Sequence, residues 1–179
     1  DFNWDNPDEY GRQLAKLLYA NSSAKSCVEM ALLDLHTQEK GIPLWQYLRL
    51  KRGCTEASTP KPLPLLRMLG GSIEKEIADA KKFHDEGYRH WKIKVGLLSV
   101  DDDLNRAENL CNLLKGDTIS VDANGAMRLE DAIRFCSSPK SRQLSFAEQL
   151  ISSNLPLSDF LELKKRSEIP IGLDESVHG

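Results

Sequence analysis

The stretch HWKIKVG, residues 90–96, combines a strand-like pattern with two lysines that stand two positions apart. Successive side chains of a β-strand point to opposite faces, so Lys92 and Lys94 share one face and Ile93 lies on the other, toward covering helices. An ammonium group taken out of water needs an anion, water or a ligand beside it. The stretch therefore predicts a strand with one apolar face and one face that meets carboxylates or a ligand.

Strand-like and helix-like segments alternate around this stretch. The predicted strands are 63–69, 90–95, 118–122, 144–148 and 170–174, and the predicted helices between them are 72–85, 100–115, 129–136 and a helix within 156–167. Strands that recur roughly every 25 to 30 residues with helices between them are typical of repeated βα units and a parallel sheet. The pattern fits a barrel and an open doubly wound sheet equally well.

The first third of the chain has a different pattern. Helices are predicted at 7–20 and 22–40, and the prolines and glycine of 51–64 predict a loop. We therefore expect a helical segment over residues 1–60 and the βα units over residues 61–179. Five strands do not close a barrel of eight, so a barrel requires that this chain is part of a longer protein.

Charged side chains stand at the ends of four successive predicted strands. After the lysine-bearing strand, the next three end at Asp122, Glu148 and Asp174. The carboxyl ends of parallel strands meet at one edge of the sheet, and carboxylates that converge there repel each other unless a cation lies between them. A lone Asp is most often the cap of the next helix and a lone Lys is usually solvated, but four such ends in a row favour one shared site. The expected ion is Mg²⁺, which oxygen ligands suit, with Mn²⁺ as a possible substitute.

Composition excludes several classes of partner. The 179 residues are 40% hydrophobic and carry a net charge of -3, which argues against a nucleic-acid surface and against a basic membrane anchor. The four cysteines are scattered without the close pairing of zinc or redox sites, and no segment resembles a signal peptide or a membrane span. We expect a cytoplasmic, reduced protein that binds a small-molecule carboxylate, with homo-oligomerisation left open.

Two other groups of polar residues are weaker candidates. The acidic run at 101–103 opens a predicted helix, where negative charge favours the helix dipole, so we interpret it as structural. The four histidines lack the spacing of metal ligands, although His178 follows Asp174 closely enough to border a pocket.

Four motifs in register resemble a known family. They are KIK at 92–94, VDANGA at 121–126, FAEQ at 146–149 and LDES at 173–176, and they resemble the successive strand ends of the enolase superfamily in its muconate lactonizing enzyme subgroup. The helical segment 24–48 also resembles the region that leads into the barrel of this subgroup. The resemblance implies an α/β fold of the enolase type, a (β/α)7β TIM-like barrel of which about five strands are present. It also implies that the helices before the barrel belong to a capping domain.

The resemblance implies a role for each residue of these motifs. Lys94 would be the acid/base that moves a proton next to a carboxylate, and Lys92 would assist by stabilising the charge that forms. A further lysine on the sixth strand belongs to the family pattern and falls beyond residue 179. The other implied positions are Asp122, Glu148 and Asp174 as Mg²⁺ ligands, and Asn124 and Glu175 as residues that orient those ligands.

Three reactions share this set of residues in the family. They are the dehydration catalysed by o-succinylbenzoate synthase in menaquinone biosynthesis, dipeptide epimerisation and muconate cycloisomerisation. The stretch from 92–97 to 121–124 favours o-succinylbenzoate synthase, a carbon–oxygen lyase, and the apolar strand 64–69 lacks the threonine-rich character of epimerases. Two alternatives are not enzymes: a truncated, non-catalytic barrel used for interaction, and a receiver-like Mg²⁺-binding switch. Receivers place the acidic pair on the first strand and the lysine on the last, which is the reverse of the order here.

Overall fold

The structure, a computed structural model, describes residues 2–54 and 61–177. The chain divides into two compact units, with the boundary between Lys61 and Pro62. His178, which the sequence places close to the pocket, lies outside the described residues. Within the described ranges no helix is long and apolar enough to cross a membrane.

The first unit is helical. After a short 3-10 turn at Pro7–Glu9 it contains the helices α1 (Tyr10–Leu17), α2 (Ser22–Glu39) and α3 (Leu44–Lys51). The single helix predicted at 7–20 is therefore wrong in its bounds. It ends at Leu17 because Leu18 is extended, with φ of -137° and ψ of 118°, and Ala20 and Asn21 then adopt left-handed conformations, with φ of 53° and 52°, which a right-handed helix cannot contain.

The second unit alternates strands and helices, as predicted. Its strands are β1 (Leu66–Leu69), β2 (His90–Lys94), β3 (Thr118–Asp122), β4 (Phe146–Glu148) and β5 (Ile171–Gly172). The helices between them are α4 (Ile73–Asp85), α5 (Val100–Leu113), α6 (Leu129–Cys136) and α7 (Leu157–Arg166). Four strands, β1, β2, β4 and β5, are shorter than predicted. An apolar run in the sequence can extend past the residues that pair with a neighbouring strand, and only the paired residues form the strand.

The order of the strands decides between the two sheet architectures. The five strands lie in the order β1-β2-β3-β4-β5, and each neighbouring pair is parallel. A doubly wound sheet reverses its order at a switch point, and a receiver has the order 2-1-3-4-5. Consecutive order is that of a barrel wall, so the open doubly wound sheet and the receiver-like switch are both wrong.

The core lies between the sheet and its helices, and β2 shows how the sequence produces it. Trp91 and Ile93 are fully buried on the helix side, whereas the side chains of Lys92 and Lys94 stay partly exposed on the other face. The alternation that the stretch 90–96 predicts is confirmed. Two of the helices that cover the sheet begin at capping serines: the Ser72 side chain accepts a hydrogen bond from the backbone N–H of Lys75 at the start of α4, and the Ser99 side chain accepts one from that of Asp102 at the start of α5.

Candidate active site

The register of the sheet aligns the predicted site residues across three strands. Lys94 on β2 pairs with Asp122 on β3, and Asp122 pairs with Glu148 on β4. The next strand continues the row, since Glu148 pairs with Gly172, two residues before Asp174. Parallel strands in register bring residues that are far apart in sequence to one edge of the sheet, which is why motifs spaced along the chain converge.

Lysines and carboxylates at this edge neutralise each other in pairs. The Nζ of Lys94 donates a hydrogen bond to Oδ2 of Asp122 at 2.6 Å, and the Nζ of Lys92 donates to Oε2 of Glu148 at 2.7 Å. The Nζ of Lys92 also lies 3.9 Å from Oδ2 of Asp122. We call Lys92, Lys94, Asp122 and Glu148 the edge network. Both lysine side chains keep access to solvent, with 17% of Lys92 and 34% of Lys94 exposed.

Asp122 is the most buried member of the edge network. Burial by itself raises the pKa of this carboxyl, but the hydrogen bonds from Lys94 and from the backbone N–H of Asn124, with the charges of both lysines, lower the pKa on balance. The N–H of Asn124 donates to Oδ1 of Asp122 at 2.9 Å. Asp122 is therefore held as a carboxylate whose two oxygens face different donors.

Asn124 connects the edge network to the chain after β5. Its backbone is left-handed, with φ of 43°, and its Oδ1 accepts a hydrogen bond from Lys94. Its Nδ2 donates to Oε1 of Glu175 at 2.9 Å, while Oε2 of Glu175 is buried and has no hydrogen-bond partner in the structure. Asn124 thus contacts a predicted metal ligand through its backbone and the predicted base through its side chain.

The three predicted metal ligands differ in their surroundings. Asp122 and Glu148 are cross-strand neighbours, whereas Asp174 lies in the turn after β5 with its side chain exposed. Among residues 2–54 and 61–177, no group of three or more His, Cys, Asp or Glu side chains is placed to hold a metal ion. The ammonium groups of Lys92 and Lys94 neutralise the carboxylates of Glu148 and Asp122, respectively.

The donor chemistry at this edge nevertheless suits Mg²⁺. Carboxylates stand at the ends of β3 and β4 and two residues after β5, and the buried Oε2 of Glu175, which directly follows Asp174, has no hydrogen-bond partner in the structure. A buried anionic oxygen without a donor is costly unless a cation or a proton reaches it. The assignment of the three ligands stays a prediction.

A second group of charges, on the helix side of β2, was not expected from the sequence. The Nε of Arg106 donates to Oε2 of Glu76 at 2.6 Å, and its Nη2 donates to the other oxygen of the same carboxylate. Its Nη1 donates to the backbone carbonyl of Lys94 at 2.7 Å, and Oδ2 of Asp103 accepts from the backbone N–H of Gly96 at 2.6 Å. We call Glu76, Asp103 and Arg106 the helix-side network. It holds the backbone on both sides of Val95, directly after the side chain of Lys94.

The acidic run at 101–103 is therefore only partly what the sequence suggested. It does occupy the first turn of α5, but Asp103 is fully buried, and that burial raises the pKa of its carboxyl. Asp103 precedes the apolar positions Leu104, Ala107 and Leu110 on the buried stripe of the same helix. A carboxylate on an apolar stripe, three residues before an arginine, is the signal that could have revealed this network.

A cavity of about 530 Å³ lies away from these charges. It is lined by Pro64, Leu65 and residues 86–90, which lie before β1 and at the amino end of β2, opposite the carboxyl ends of these strands. In βα sheets the catalytic residues collect at the carboxyl ends of the strands, so the edge network is the better candidate site.

Comparison with known proteins gives two family matches. The model described as "Enolase C-terminal domain-like" matches residues 75–179, which is more than half of the chain. The model described as "Mandelate racemase / muconate lactonizing enzyme, N-terminal domain" matches residues 5–48.

Individual relatives agree with these matches. L-Ala-D/L-Glu epimerase of Bacillus subtilis (strain 168) is 30% identical over 165 residues, covering 90% of this chain and 43% of that protein. Muconate cycloisomerase 1 of Pseudomonas putida is 30% identical over 178 residues, covering 97% of this chain and 45% of that protein. The crystal structure of muconate cycloisomerase from Pseudomonas fluorescens superimposes with a TM-score of 0.83 at 29% identity, covering 98% of this chain and 47% of that one. The chain spans less than half the length of these relatives, and it belongs to the enolase superfamily.

Proposed function

We propose that the protein moves a proton at the carbon next to a substrate carboxylate in an Mg²⁺-dependent reaction, with Lys94 as the acid/base. The observation that carries the proposal is the edge network, in which two partly exposed ammonium groups stand against Asp122 and Glu148 at the carboxyl ends of adjacent strands. A surface ion pair would need no such convergence from three strands.

Lys94 suits the role of acid/base because its Nζ is both held and accessible. Asp122 and Asn124 accept hydrogen bonds from this nitrogen, while a third of the side chain remains open to a substrate. Lys92 is held by Glu148 on the same face, 3.9 Å from Asp122, where its fixed charge can stabilise negative charge that develops on a substrate carboxylate.

The proposal assigns Mg²⁺ to Asp122, Glu148 and Asp174, with Mn²⁺ as a possible substitute. When bound, the ion would supply positive charge to the oxygens of the substrate carboxylate. Asn124 and Glu175 would orient the ligands, as their hydrogen bond at 2.9 Å and the contact of Asn124 with Asp122 support. The ion would compete for Asp122 and Glu148 with the two ammonium groups that now bind them.

The overall reaction that the relatives favour is an isomerisation. Dipeptide epimerisation is supported by the likeness to the epimerase, and muconate cycloisomerisation by the likeness to the cycloisomerase and by the structural superposition. The dehydration to o-succinylbenzoate, which the sequence favoured, gains no support from these relatives.

A cytoplasmic location is part of the proposal. It is supported by four free cysteines, two of them exposed, which suit a reducing compartment.

The test is proton exchange catalysed by the full-length protein in D₂O with Mg²⁺. The panel contains a series of L,L-dipeptides, cis,cis-muconate and its lactone, and the cyclohexadiene carboxylate of the dehydration reaction, with deuterium incorporation followed by mass spectrometry. Lys94→Ala is expected to lose about 10² to 10⁴-fold of the exchange rate, the usual contribution of a positioned acid/base. Lys81→Ala, the same change at an exposed position on α4, is the matched control and should leave the rate unchanged.

The outcomes separate the candidates. Exchange with a dipeptide supports epimerisation, and exchange with the lactone supports cycloisomerisation. If Lys94→Ala exchanges at the rate of the control, Lys94 is not the base. If no member of the panel exchanges a proton, the non-catalytic barrel is the better interpretation.

A further inference from the structure

We infer that Gln149 is a positioning residue that holds the turn after β5, so that Asp174 lies at the same edge of the sheet as Asp122 and Glu148. The inference rests on the proposed function, since it concerns the placement of a proposed metal ligand. It adds a residue that neither touches the substrate nor belongs to the ligand set.

The side chain of Gln149 makes four hydrogen bonds, three to the turn after β5 and one to the segment that follows β4. Its Oε1 accepts from the backbone N–H of Asp174 at 2.9 Å and from that of Ser176 at 3.2 Å. Its Nε2 donates to Oγ of Ser176 at 2.6 Å and to the carbonyl of Ile151 at 2.9 Å. The two backbone N–H groups can only donate, so they require the carboxamide oxygen on their side and fix the orientation of the amide.

The backbone of Gln149 links the same three chain segments. Its N–H donates to the carbonyl of Gly172 on β5 at 2.9 Å, and its carbonyl accepts from the N–H of Gly125 at 2.7 Å. Its φ of 37° is in the left-handed region, which turns the chain sharply after Glu148. One residue therefore contacts the segments that follow β3 and β5 while standing next to the ligand on β4.

Asp174 depends on these contacts because its own side chain is exposed. Its backbone N–H is held by Gln149, and its carbonyl accepts from the N–H of Val177 at 3.0 Å within the turn. Gln149 is 1% exposed, so a side chain without a polar end would leave two backbone donors of the turn without their acceptor. The turn would then shift to find other partners, and Asp174 would move with it.

The test is the affinity of the full-length protein for Mn²⁺ without substrate, measured by electron paramagnetic resonance of the free ion. Gln149→Met keeps the length of the side chain and removes its hydrogen bonds, and it is expected to weaken Mn²⁺ binding about 10 to 100-fold, the usual effect of losing a partner that orients a ligand. Gln143→Met makes the same change at an exposed position just before β4 and should bind Mn²⁺ as the wild type does. Ser176→Ala removes one acceptor of the amide and is the milder second variant, expected to weaken binding several-fold.

The inference and the proposed function fail in different ways. If Asp174→Asn loses Mn²⁺ binding while Gln149→Met and Ser176→Ala both keep wild-type affinity, the role of Gln149 is overturned and the ligand set stands. If Asp174→Asn itself keeps wild-type affinity, the ligand set is overturned and the role of Gln149 in metal binding with it. If Gln149→Met does not fold, as far-ultraviolet circular dichroism would show, Ser176→Ala decides: several-fold weaker binding supports the inference, and wild-type affinity overturns it.

Discussion

Two charged networks meet at Lys94, one on each face of β2. The edge network binds its side chain, while the helix-side network binds its carbonyl. In the edge network the lysines stay partly exposed, and each ammonium pairs with a carboxylate oxygen. In the helix-side network Arg106 is only 11% exposed and donates hydrogen bonds from two nitrogens to the carboxylate of Glu76. The difference indicates separate tasks: the buried network fixes the backbone, and the accessible one keeps charges that a ligand can rearrange.

The largest expected loss of stability follows from removing the arginine of the helix-side network. Arg106→Met should lower the free energy of unfolding by about 3 to 5 kcal/mol, because it leaves the buried carboxylates of Glu76 and Asp103 without their cation. Arg134→Met breaks an ion pair with Asp101 in which both side chains are more than half exposed, so it should lower the free energy of unfolding by about 1 kcal/mol or less. Urea unfolding measures both. Equal losses would show that the helix-side network is no more than a surface pair.

A smaller effect is expected at the glycine between the two networks. Gly96 has φ of 86°, and an added Cβ would lie 3.3 Å from the Cβ of Ala126 and 3.3 Å from the Cγ of Met127. Gly96→Ala should therefore cost about 2 to 3 kcal/mol, from the left-handed backbone and from crowding together. Gly116→Ala, with φ of 97° and open space around it, measures the backbone part alone and should cost about 1 kcal/mol. A loss at Gly116 as large as that at Gly96 would show that crowding contributes nothing.

The smallest expected effect is a difference between Asp122 of the edge network and Asp103 of the helix-side network in how their contribution to stability depends on pH. The pKa of Asp122 is lowered from 3.8, so its contribution to stability is present above that value and is lost as the pH falls through its folded pKa. The pKa of Asp103 is raised from 3.8, so its contribution is present below that value and is lost as the pH rises through its folded pKa.

The two asparagine variants should therefore diverge from the wild type in opposite directions. On going from about pH 7 to about pH 2.5 in EDTA, the stability lost by Asp122→Asn should shrink, and that lost by Asp103→Asn should grow. Urea unfolding across this range measures the two slopes. Slopes of the same sign would mean that the two aspartates have similar surroundings.

Local patterns were enough to predict the βα units, because each depends on short-range properties. The apolar alternation of β2 and the apolar stripes of the helices are visible within a dozen residues. The motifs at 92–94, 121–126 and 146–149 also place charges at strand ends, and the register confirms that Lys94, Asp122 and Glu148 are neighbours. The early end of α1 was missed, since Ala20 carries no signal for a left-handed backbone.

The sequence by itself determined the alternation of strands and helices, the family and the charged residues at the strand ends. These features follow from periodicity and motifs that lie within short segments of the chain, and from the order of those segments. Only the tertiary structure decided the consecutive strand order, the pairing of each lysine with its carboxylate, and the roles of Arg106 and Gln149. These last features depend on contacts between residues 12 to 56 positions apart. Such contacts form only when several elements pack together, and a single segment, such as the buried Asp103 three residues before Arg106, can mark a residue as unusual without identifying its distant partner.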